Sequence, residues 1–417
     1  MILCFRIVSF TQMYIMERLK ELSGRRINHV SMDFHRYLMN EIHWDERIIG
    51  ISGARGSGKT TFLLQRAKIL SEEGKHVLYV SVDDFYFSAN RLVLFAEEFA
   101  KYGGVCLFLD EVHKYPNWSQ ELKNIYDSLP ELNVVFTSSS ALELYKGKYD
   151  LSRRAVMYDM QGLSFREYLE LKHRILIPVY PLTEILKKPA DITASIIRVL
   201  RPLPVFEEYL REGIYPFFME QSLSYTEKLL SITALVIETD LPSVFHVDYQ
   251  AVIKLKRLLS LINSLVPYTP NVEKLARQTG VTRDTLLRYL YFLERSHLVL
   301  WLSRDPTGIN YMNKPDKLYL HNTNLSFAFN PTQANRGNIR ETSFLNQLAV
   351  RHTVNLPVQG DFFVDQKWTF EIGGKSKGGK SKGGKQIRDI RDSYVVRDAI
   401  EVAYDNVIPL WLFGFLY

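Results

Sequence analysis

A glycine-rich turn followed by lysine and threonine is the strongest chemical signal in this sequence. It fits the pattern Gly-x-x-x-x-Gly-Lys-Thr from Gly53 to Thr60. In such a turn successive backbone N–H groups surround phosphate groups, and the dipole of the following helix adds positive potential. Lys59 would reach the outer phosphates, and the Thr60 hydroxyl would ligate Mg²⁺. The alternative is a tight strand–helix turn that binds nothing. The predicted phosphate-binding residues are Gly53, Ala54, Arg55, Gly56, Ser57, Gly58, Lys59, Thr60 and Thr61.

Two adjacent carboxylates, Asp110 and Glu111, follow an apolar run at residues 105–109. If this run is a buried strand, it delivers both acids to the edge at which open α/β sheets bind ligands. Asp110 would then hold Mg²⁺ through its water shell, and Glu111 would polarise an attacking water. A solvated acidic strand end is the alternative, and the phosphate turn in the same sequence favours the catalytic interpretation.

Three further residues are candidates for the same chemistry. Thr137 ends another apolar run and could orient the water or sense the outermost phosphate, or it could be an ordinary hydrogen-bonding strand end. Arg153 and Arg154 carry guanidinium groups that could stabilise charge on a transferred phosphoryl group, in cis or from another subunit. Paired arginines also occur on solvated faces, and the sequence leaves this choice open.

Alternating strands and helices must position these residues. Apolar runs predict strands at 47–52, 77–82, 105–109 and 134–137. Helical spacing follows the phosphate turn as far as Gly74 and recurs at 91–102 and 118–129. This alternation predicts an α/β domain with a parallel sheet covered on both faces, over residues 25–171. In the last hundred residues, further strands are predicted at 317–320, 362–364, 368–372 and 408–412.

The motifs together resemble bacterial AAA-type ATPases, and more narrowly a group with a C-terminal nuclease-like domain of unknown function. The resemblance implies a P-loop sheet of the additional-strand type, a helical region with a winged helix, and a restriction-endonuclease-like α+β domain. ATP and Mg²⁺ are the cofactors that it implies. Besides the phosphate turn, the motifs are Leu107-Phe-Leu-Asp-Glu-Val-His-Lys114, Phe136-Thr-Ser-Ser-Ser140, Asp150-Leu-Ser-Arg-Arg154, Leu163-Ser-Phe-Arg-Glu-Tyr168, Phe370-Glu-Ile-Gly-Gly-Lys375 and the ending at 408–417.

A helix-turn-helix pattern lies in the C-terminal half. A short helix at 272–278 and a turn at Gly280 precede a helix that Thr282 would cap and that runs to residue 295, followed by a strand at 298–302. The aromatic residues of the second helix favour a packing module as the alternative to a DNA reader, so DNA is an open candidate partner. In a DNA reader the residues facing the groove would be Arg283, Thr285 and Arg288.

Glu341, Asp361, Glu371 and Lys375 resemble the acids-plus-lysine set of the restriction-endonuclease-like fold. In that set carboxylates gather a divalent metal, and the lysine stabilises the pentavalent phosphate. The lysine usually stands two residues after the second acid, but here that position is Gly373. A bulge could bring Lys375 back, yet the departure favours a degenerate scaffold over an active nuclease.

Composition narrows the class of protein. The net charge is +6, but a Gly-Gly-Lys-Ser-Lys repeat supplies five lysines, so the remainder carries 6 − 5 = +1 and gives little support to nucleic-acid binding. The repeat is expected to form a mobile surface loop. No apolar run approaches the roughly 18 residues that cross a bilayer. Two cysteines cannot form a disulfide framework. We therefore predict a cytoplasmic protein without membrane spans.

The predicted organisation, for 417 residues, is an N-terminal arm (1–24), a P-loop ATPase domain (25–171), a linker and helical region (172–265), a winged-helix-like region (266–305) and a nuclease-like domain (306–417). Residues 1–16 lack a basic start and a cleavage site, so we expect an arm or an extended start rather than a signal peptide. The favoured function is an Mg²⁺-dependent ATPase whose nucleotide state moves the later domains. The alternatives are a nucleotide-gated DNA-binding or scaffold protein with little hydrolysis, and an ATP-regulated DNA nuclease.

Overall fold

A computed structural model describes residues 2–138, 151–220, 224–242, 248–265, 271–304, 315–332, 334–374, 387 and 389–417, with the backbone alone for 2–15, 264 and 265. The chain divides into two compact units, Met1–Gln161 and Gly162–Tyr417. Each unit has its own five-stranded sheet. The predictions for Ser139, Ser140, Asp150 and the lysine repeat lie outside the described residues.

The first unit alternates strands and helices, as its apolar runs predict. The strands are β1 (Ile48–Ser52), β2 (Val77–Ser81), β3 (Cys106–Asp110), β4 (Asn133–Thr137) and β5 (Val156–Asp159). The helices are α1 (Ile2–His29), α2 (Lys59–Glu72), α3 (Leu92–Lys101) and α4 (Trp118–Ser128), with 3₁₀ turns at Tyr37–Asn40, Phe85–Ser88 and Val112–Lys114.

The sheet of the first unit has the strand order β2-β3-β4-β1-β5, and all its pairs are parallel. Strand β4 lies between β1, which precedes the phosphate turn, and β3, which carries the two acids. This is the additional-strand arrangement that the family resemblance implies. Every residue of β3 is buried, because strands flank it on both sides and helices cover the sheet faces. Parallel strands end at one edge, so Ser52, Asp110 and Thr137 come together there.

The N-terminal segment differs from the loose arm expected for residues 1–24. Helix α1 runs from Ile2 to His29, and Met16 and Leu19 are only 4% and 3% exposed in the same core as Leu78 and Val80 of β2. The physical reason is helical spacing, because apolar residues three positions apart share one face and can pack together. The segment is therefore part of the first unit.

The second unit begins with helices. They are α5 (Phe165–Tyr168), α6 (Leu182–Lys187), α7 (Pro189–Ile197), α8 (Pro202–Glu212), α9 (Tyr225–Leu235), α10 (Tyr249–Leu265), α11 (Val272–Thr279), α12 (Arg283–Arg295), α13 (Thr323–Phe329) and α14 (Arg336–Leu348), with π turns at Leu169–His173 and Val236–Asp240 and a 3₁₀ turn at Pro216–Met219. Between α11 and α12, Gly280 has φ +68° and Thr282 accepts a hydrogen bond from the Thr285 N–H. These are the turn and the cap that the sequence predicts.

An antiparallel hairpin follows α12 and consists of β6 (Val299–Leu302) and β7 (Lys317–Leu320). The remaining strands form a mixed sheet, in which β8, β9 and β10 pair antiparallel while β10, β11 and β12 pair parallel. They are β8 (Val354–Asn355), β9 (Phe362–Val364), β10 (Trp368–Gly373), β11 (Ser393–Arg397) and β12 (Val407–Pro409). The strand expected at 408–412 stops at Pro409 and continues as a 3₁₀ turn, Leu410–Phe415.

The boundary between the units lies earlier than the expected domain end at residue 171. The Ser164 hydroxyl and the Arg166 Nε both donate to the carbonyl of Tyr417, at 2.9 Å each. Ser164 and Glu167 also form a capping box at the start of α5. These contacts place the Leu163–Tyr168 motif in the second unit.

Among the described residues, no helix is both long and apolar enough to cross a bilayer.

Candidate functional site

The turn after β1 has the backbone geometry that its glycines permit. Gly53, Gly56 and Gly58 have φ values of +144°, +83° and +94°. A Cβ on Gly53 would lie 2.3 Å from the carbonyl oxygen of Met160. Both the dihedral angle and the close backbone contact therefore require glycine at position 53. Ser57 is fully buried, and its hydroxyl has no hydrogen-bond partner in the described part of the chain.

Lys59 points into this turn rather than into solvent. Its ammonium donates to the carbonyls of Gly53 and Ala54, at 2.8 Å each. Burial lowers the pKa of Lys59 to about 8, although Asp110, Glu111 and Asp159 oppose the shift. A cation held inside a ring of backbone groups is suited to the outer phosphates of a nucleotide.

Asp110 is the centre of a hydroxyl cluster at the end of β3. The hydroxyls of Thr60 and Tyr79 donate to its Oδ2 at 2.7 and 2.8 Å. The Thr137 hydroxyl bonds its Oδ1. Burial raises the pKa of Tyr79, and the negative charge of Asp110 raises it further, so Tyr79 remains a donor. The structure thus brings together Thr60, Asp110 and Thr137, three residues that the sequence assigned to one site.

Glu111 leaves the line of the strand. In an extended strand, the neighbouring side chains of Asp110 and Glu111 would point to opposite faces of the sheet. Glu111 has a left-handed φ of +56°, so its backbone leaves the strand conformation and this alternation ends. Its backbone N–H donates to the Thr137 hydroxyl at 3.1 Å, and its carboxylate pairs with Lys114. Lys114 also pairs with Asp83 at 2.7 Å. The two acids can therefore take separate roles, as the strand end allows.

Arg153 and Arg154 do not lie near the turn in the first unit. Val156 of β5 is level with Ile49 of β1, which places Arg154 about 20 Å before the turn at some 3.3 Å per residue. Arg154 forks onto Asp127 at 3.0 and 3.2 Å, and Arg153 is exposed. In this structure, therefore, neither arginine lies beside the phosphate turn of its own chain.

Sequence reasoning missed two residues of this site. Arg36 is 5% exposed and donates to the carbonyl of Ser57 inside the turn. Tyr79 reaches Asp110 from the neighbouring strand. No motif marks either residue. The one available signal for Tyr79 is a polar aromatic in an otherwise apolar strand, since a buried hydroxyl needs a partner.

A second group of acids lies in the second unit. Glu341 accepts from Lys317 and from the Tyr319 hydroxyl, at 2.9 and 2.7 Å. Asp361 accepts from the Ile372 N–H at 2.7 Å. Burial raises the pKa of Asp361, and the charges of Glu341 and Glu371 raise it further. The charges of Glu341 and Glu371 therefore both act on Asp361.

A cation from β11 stands beside the position where a lysine would be expected. Gly373 pairs with Arg397 across the strands, and a Cβ on Gly373 would fall 1.7 Å from the Arg397 guanidinium. Lys375 lies outside the described residues. Within the described ranges, no group of three or more His, Cys, Asp or Glu residues is arranged to hold a metal ion.

The residues of helix α12 in the helix-turn-helix differ in their exposure to solvent. Arg283 and Arg288 are exposed on α12, and Thr285 is half-buried, with its hydroxyl bonded to that of Thr282 at 2.9 Å. Tyr289 and Phe292 are each 5% exposed. The aromatic face therefore packs inward, while two of the three predicted groove residues face solvent.

Two family models match parts of the chain. Residues 45–169 match an AAA domain, and residues 203–335 match a domain of unknown function, DUF8612. No curated protein matches this sequence.

The solved structures to which this chain is similar have low sequence identity and low TM-scores. The Walker-type ATPase PABY2304 of Pyrococcus abyssi is 12% identical, with a TM-score of 0.37 over 74% of this chain and 95% of that one. AMPPCP-bound DnaA from Aquifex aeolicus is 17% identical, with a TM-score of 0.25 over 59% and 81%. PCH-2 of C. elegans is 15% identical, with a TM-score of 0.25 over 68% and 66%. Scores this low assign no function. The five-stranded parallel sheet with its phosphate turn matches a P-loop NTPase fold, and residues 45–169, which contain the turn and both acids, are similar to an AAA domain.

Proposed function

We propose that this protein binds ATP with Mg²⁺ and hydrolyses it. The observation that carries the proposal is the 2.7 Å hydrogen bond between the Thr60 hydroxyl and Asp110, beside a turn that already holds Lys59. A hydroxyl and a carboxylate placed together beside a phosphate turn are the protein groups that hold Mg²⁺ in P-loop enzymes.

The donor set fits magnesium. Thr60 and Asp110 offer oxygen atoms, which Mg²⁺ prefers, and it usually keeps several waters and binds substrate phosphates as well. Bound there, the ion would neutralise charge on the phosphate oxygens. Thr60 and Asp110 would hold it, and Thr137 and Tyr79 would fix the orientation of the Asp110 carboxylate through their hydroxyls.

The remaining residues of the site have separate tasks. The turn amides and Lys59 would bind and orient the triphosphate. Glu111, turned off the strand, would accept a hydrogen bond from the attacking water and align it. Thr137 bonds both Asp110 and the Glu111 N–H, so it would fix the position of one acid against the other. The Arg153–Arg154 pair would supply an arginine in trans, which requires an oligomer.

Turnover assays with two substitutions test the assignment. Lys59→Ala is expected to abolish ATP binding, while Glu111→Gln keeps binding and retains ATP unhydrolysed. Lys75→Ala is a matched control, because Lys75 is an exposed lysine paired with Glu73 in the same unit. Unchanged turnover in either site variant contradicts the proposal.

Nucleotide state is further proposed to change the position of the helical, winged-helix-like and C-terminal parts. The support is the order of the chain, in which the AAA match at 45–169 is followed by the DUF8612 match at 203–335 and then by the mixed sheet. The test is small-angle scattering of the full chain with ADP and with a non-hydrolysable ATP analogue. Identical profiles contradict the movement but leave ATP binding untouched.

DNA binding is the second candidate function. The observation that favours it is the pair of exposed arginines, Arg283 and Arg288, on the helix after the turn, with a hairpin beyond. Phosphate contacts make affinity fall steeply with salt. We expect a salt-dependent affinity that drops in Arg283→Ala/Arg288→Ala, with Arg257→Ala on α10 as the control. A flat salt response contradicts this candidate.

A further inference from the structure

Arg36 links the phosphate turn to the last residue of the first unit. One arm of its guanidinium donates to the carbonyl of Ser57 at 2.8 Å, and the other donates to the carbonyl of Gln161 at 2.6 Å. Its side chain is 95% buried, since 5% is exposed. A buried guanidinium needs acceptors for its charge, and these two carbonyls belong to segments more than 100 residues apart.

The end of the first unit lies against the same turn through a second contact. The Met160 N–H donates to the Ser52 carbonyl at 2.9 Å, which extends the pairing of β5 with β1. The Met160 carbonyl then approaches Gly53 so closely that only glycine fits. Both ends of the turn, Gly53 and Ser57, are therefore fastened to residues 160 and 161.

The segment that carries Arg36 is itself held by the helix that starts at the turn. The Gln65 side-chain amide of α2 donates to the carbonyls of Ser31 and Phe34, at 2.8 Å each. Lys68 of the same helix donates to the carbonyls of Asn28 and Val30 at 3.2 Å. The backbone that carries Arg36 is therefore held in place by α2. The Arg36 guanidinium can transmit a displacement from the Ser57 carbonyl to the Gln161 carbonyl, because it donates to both.

Phosphate binding changes the bonding of this turn. Lys59 donates to the carbonyls of Gly53 and Ala54, and the same ammonium is the group that would engage the outer phosphates. If the Lys59 ammonium moved from these carbonyls to a phosphate, the Gly53 carbonyl, at the start of the turn, would lose its hydrogen bond. Arg36 would still hold the Ser57 carbonyl, near the end of the turn. Both sides of the turn are connected to the same segment, Gly53 through its contact with Met160 and Ser57 through the hydrogen bond from Arg36 to Gln161.

We propose that Arg36 is a positioning residue that transmits the nucleotide state of the phosphate turn to the Gln161–Gly162 joint between the two units. The inference rests on the proposed ATP binding and names the route by which that site is coupled to the rest of the chain. A coupling of this kind is reciprocal, so the conformation of the joint also sets nucleotide affinity.

Hydrogen exchange in the full-length protein tests the route. The exchange of residues 158–163 is compared without nucleotide, with Mg²⁺–ADP and with Mg²⁺–AMPPNP, and ATP affinity is measured in parallel. In the wild type the exchange of this segment depends on the nucleotide. In Arg36→Ala that dependence is lost, while ATP affinity falls by about tenfold, the effect of a lost charged hydrogen bond. Lys59→Ala instead loses binding altogether.

Two further variants separate transmission from simple stability. Arg36→Lys keeps a cation without the two-armed fork and is expected to retain part of the nucleotide dependence. Arg25→Ala removes an exposed arginine paired with Glu21 and leaves the dependence unchanged. Melting temperatures establish that each variant is folded, and if Arg36→Ala does not fold, Arg36→Lys and Arg36→Gln provide the comparison.

The outcomes distinguish the inference from the function on which it rests. Absence of ATP binding in the wild type overturns the proposed function. Binding in the wild type together with nucleotide-dependent exchange that persists in a folded Arg36 variant overturns the inference alone. A wild type that binds ATP but shows no nucleotide effect at residues 158–163 also overturns it.

Discussion

The two acidic regions of this protein differ in what surrounds their carboxylates. In the first unit, the partners of Asp110 are hydroxyls from Thr60, Thr137 and Tyr79. In the second unit, Glu341 already has a cation, because Lys317 lies 2.9 Å from it. Asp110 can bind a metal ion without breaking an ion pair to a neighbouring side chain, whereas Glu341 would first have to release Lys317.

The two regions also differ at their glycines. Gly53 and Gly373 both stand where a side chain would collide, but the obstacle is the Met160 backbone in one case and the tip of the Arg397 side chain in the other. A backbone contact is fixed by the fold, while a side chain can move. The conformation of the first region at Gly53 therefore depends on fixed backbone geometry, and that of the second at Gly373 depends on a movable charged side chain.

The largest expected effect is that of Lys59→Ala. Removing the ammonium strips the turn of its one buried lysine and leaves the phosphates without their main cation, so ATP turnover should fall by about 1,000-fold or more. Calorimetry and phosphate release measure it, with Lys75→Ala expected to match the wild type. If Lys59→Ala keeps turnover within about threefold of wild type, which is roughly the scatter of single-site effects, the phosphate turn is not the nucleotide site that distinguishes the first region from the second.

Glu111→Gln should come next. The amide cannot accept a proton or align water as the carboxylate does, and we expect turnover to fall by about 100- to 1,000-fold with ATP affinity kept. Rapid filtration should recover bound ATP rather than ADP. Glu97→Gln, an exposed acid on α3, should behave as the wild type, and ADP recovered from Glu111→Gln at the normal rate speaks against its role.

The matched pair Gly53→Ala and Gly373→Ala tests the glycine contrast. Gly53→Ala sets a Cβ against a backbone carbonyl at a disfavoured φ, so we expect a loss of about 2–4 kcal/mol in unfolding free energy. Gly373→Ala displaces the Arg397 tip and should cost about 1 kcal/mol. Denaturant unfolding measures both. Equal costs would contradict the contrast.

The pH dependence of ATP affinity is a smaller effect. Burial lowers the pKa of Lys59 to about 8, so in the free protein the ammonium loses its proton as pH rises past that value. Affinity should then fall by up to about tenfold per pH unit, and Lys59→Arg should remove the slope. The stability of the fold changes with pH in the opposite direction. Burial of the charged ammonium destabilises the folded protein below pH 8, and this penalty fades as the pH rises from 8 towards the higher pKa that Lys59 has in the unfolded chain. A flat affinity between pH 7 and 9 would count against the buried cation.

The smallest expected effect belongs to the second unit. With Mg²⁺ or Mn²⁺ and without nucleotide, we expect no nicking of supercoiled DNA, because Glu341 is ion-paired and no described group of acids holds a metal. Glu371→Ala should be indistinguishable from the wild type on a gel. Nicking that Glu371→Ala abolishes would make the second unit a nuclease.

The sequence predicts those strands of the first unit in which most residues are buried. The runs at 47–52, 77–82, 105–109 and 134–137 each lie within one residue of the observed bounds at both ends. Buried strands of a parallel sheet are continuously apolar and easy to find. Strand β5 was missed because its residues Val156–Asp159 are half-buried or exposed, so no apolar run marks it.

The second unit shows where short apolar runs become ambiguous. The run at 408–412 was predicted as a strand, but it is a strand only to Pro409 and then a fully buried 3₁₀ turn. Periodicity cannot separate the two when every side chain is buried. The residues of the candidate site also differ in how well the sequence predicts them. Lys59, Thr60 and Asp110 belong to local motifs and can be found from the sequence. Arg36 acts through carbonyls distant in sequence, which no spacing rule can reveal.

Titration of the wild-type protein with Mg²⁺–ATP in a calorimeter tests the central claim most directly. The account predicts saturable binding of one ATP per chain, with affinity that falls when Mg²⁺ is chelated because Thr60 and Asp110 then lack the ion that joins them to the phosphates. No saturable heat at millimolar ATP, together with an unchanged melting temperature, would contradict it.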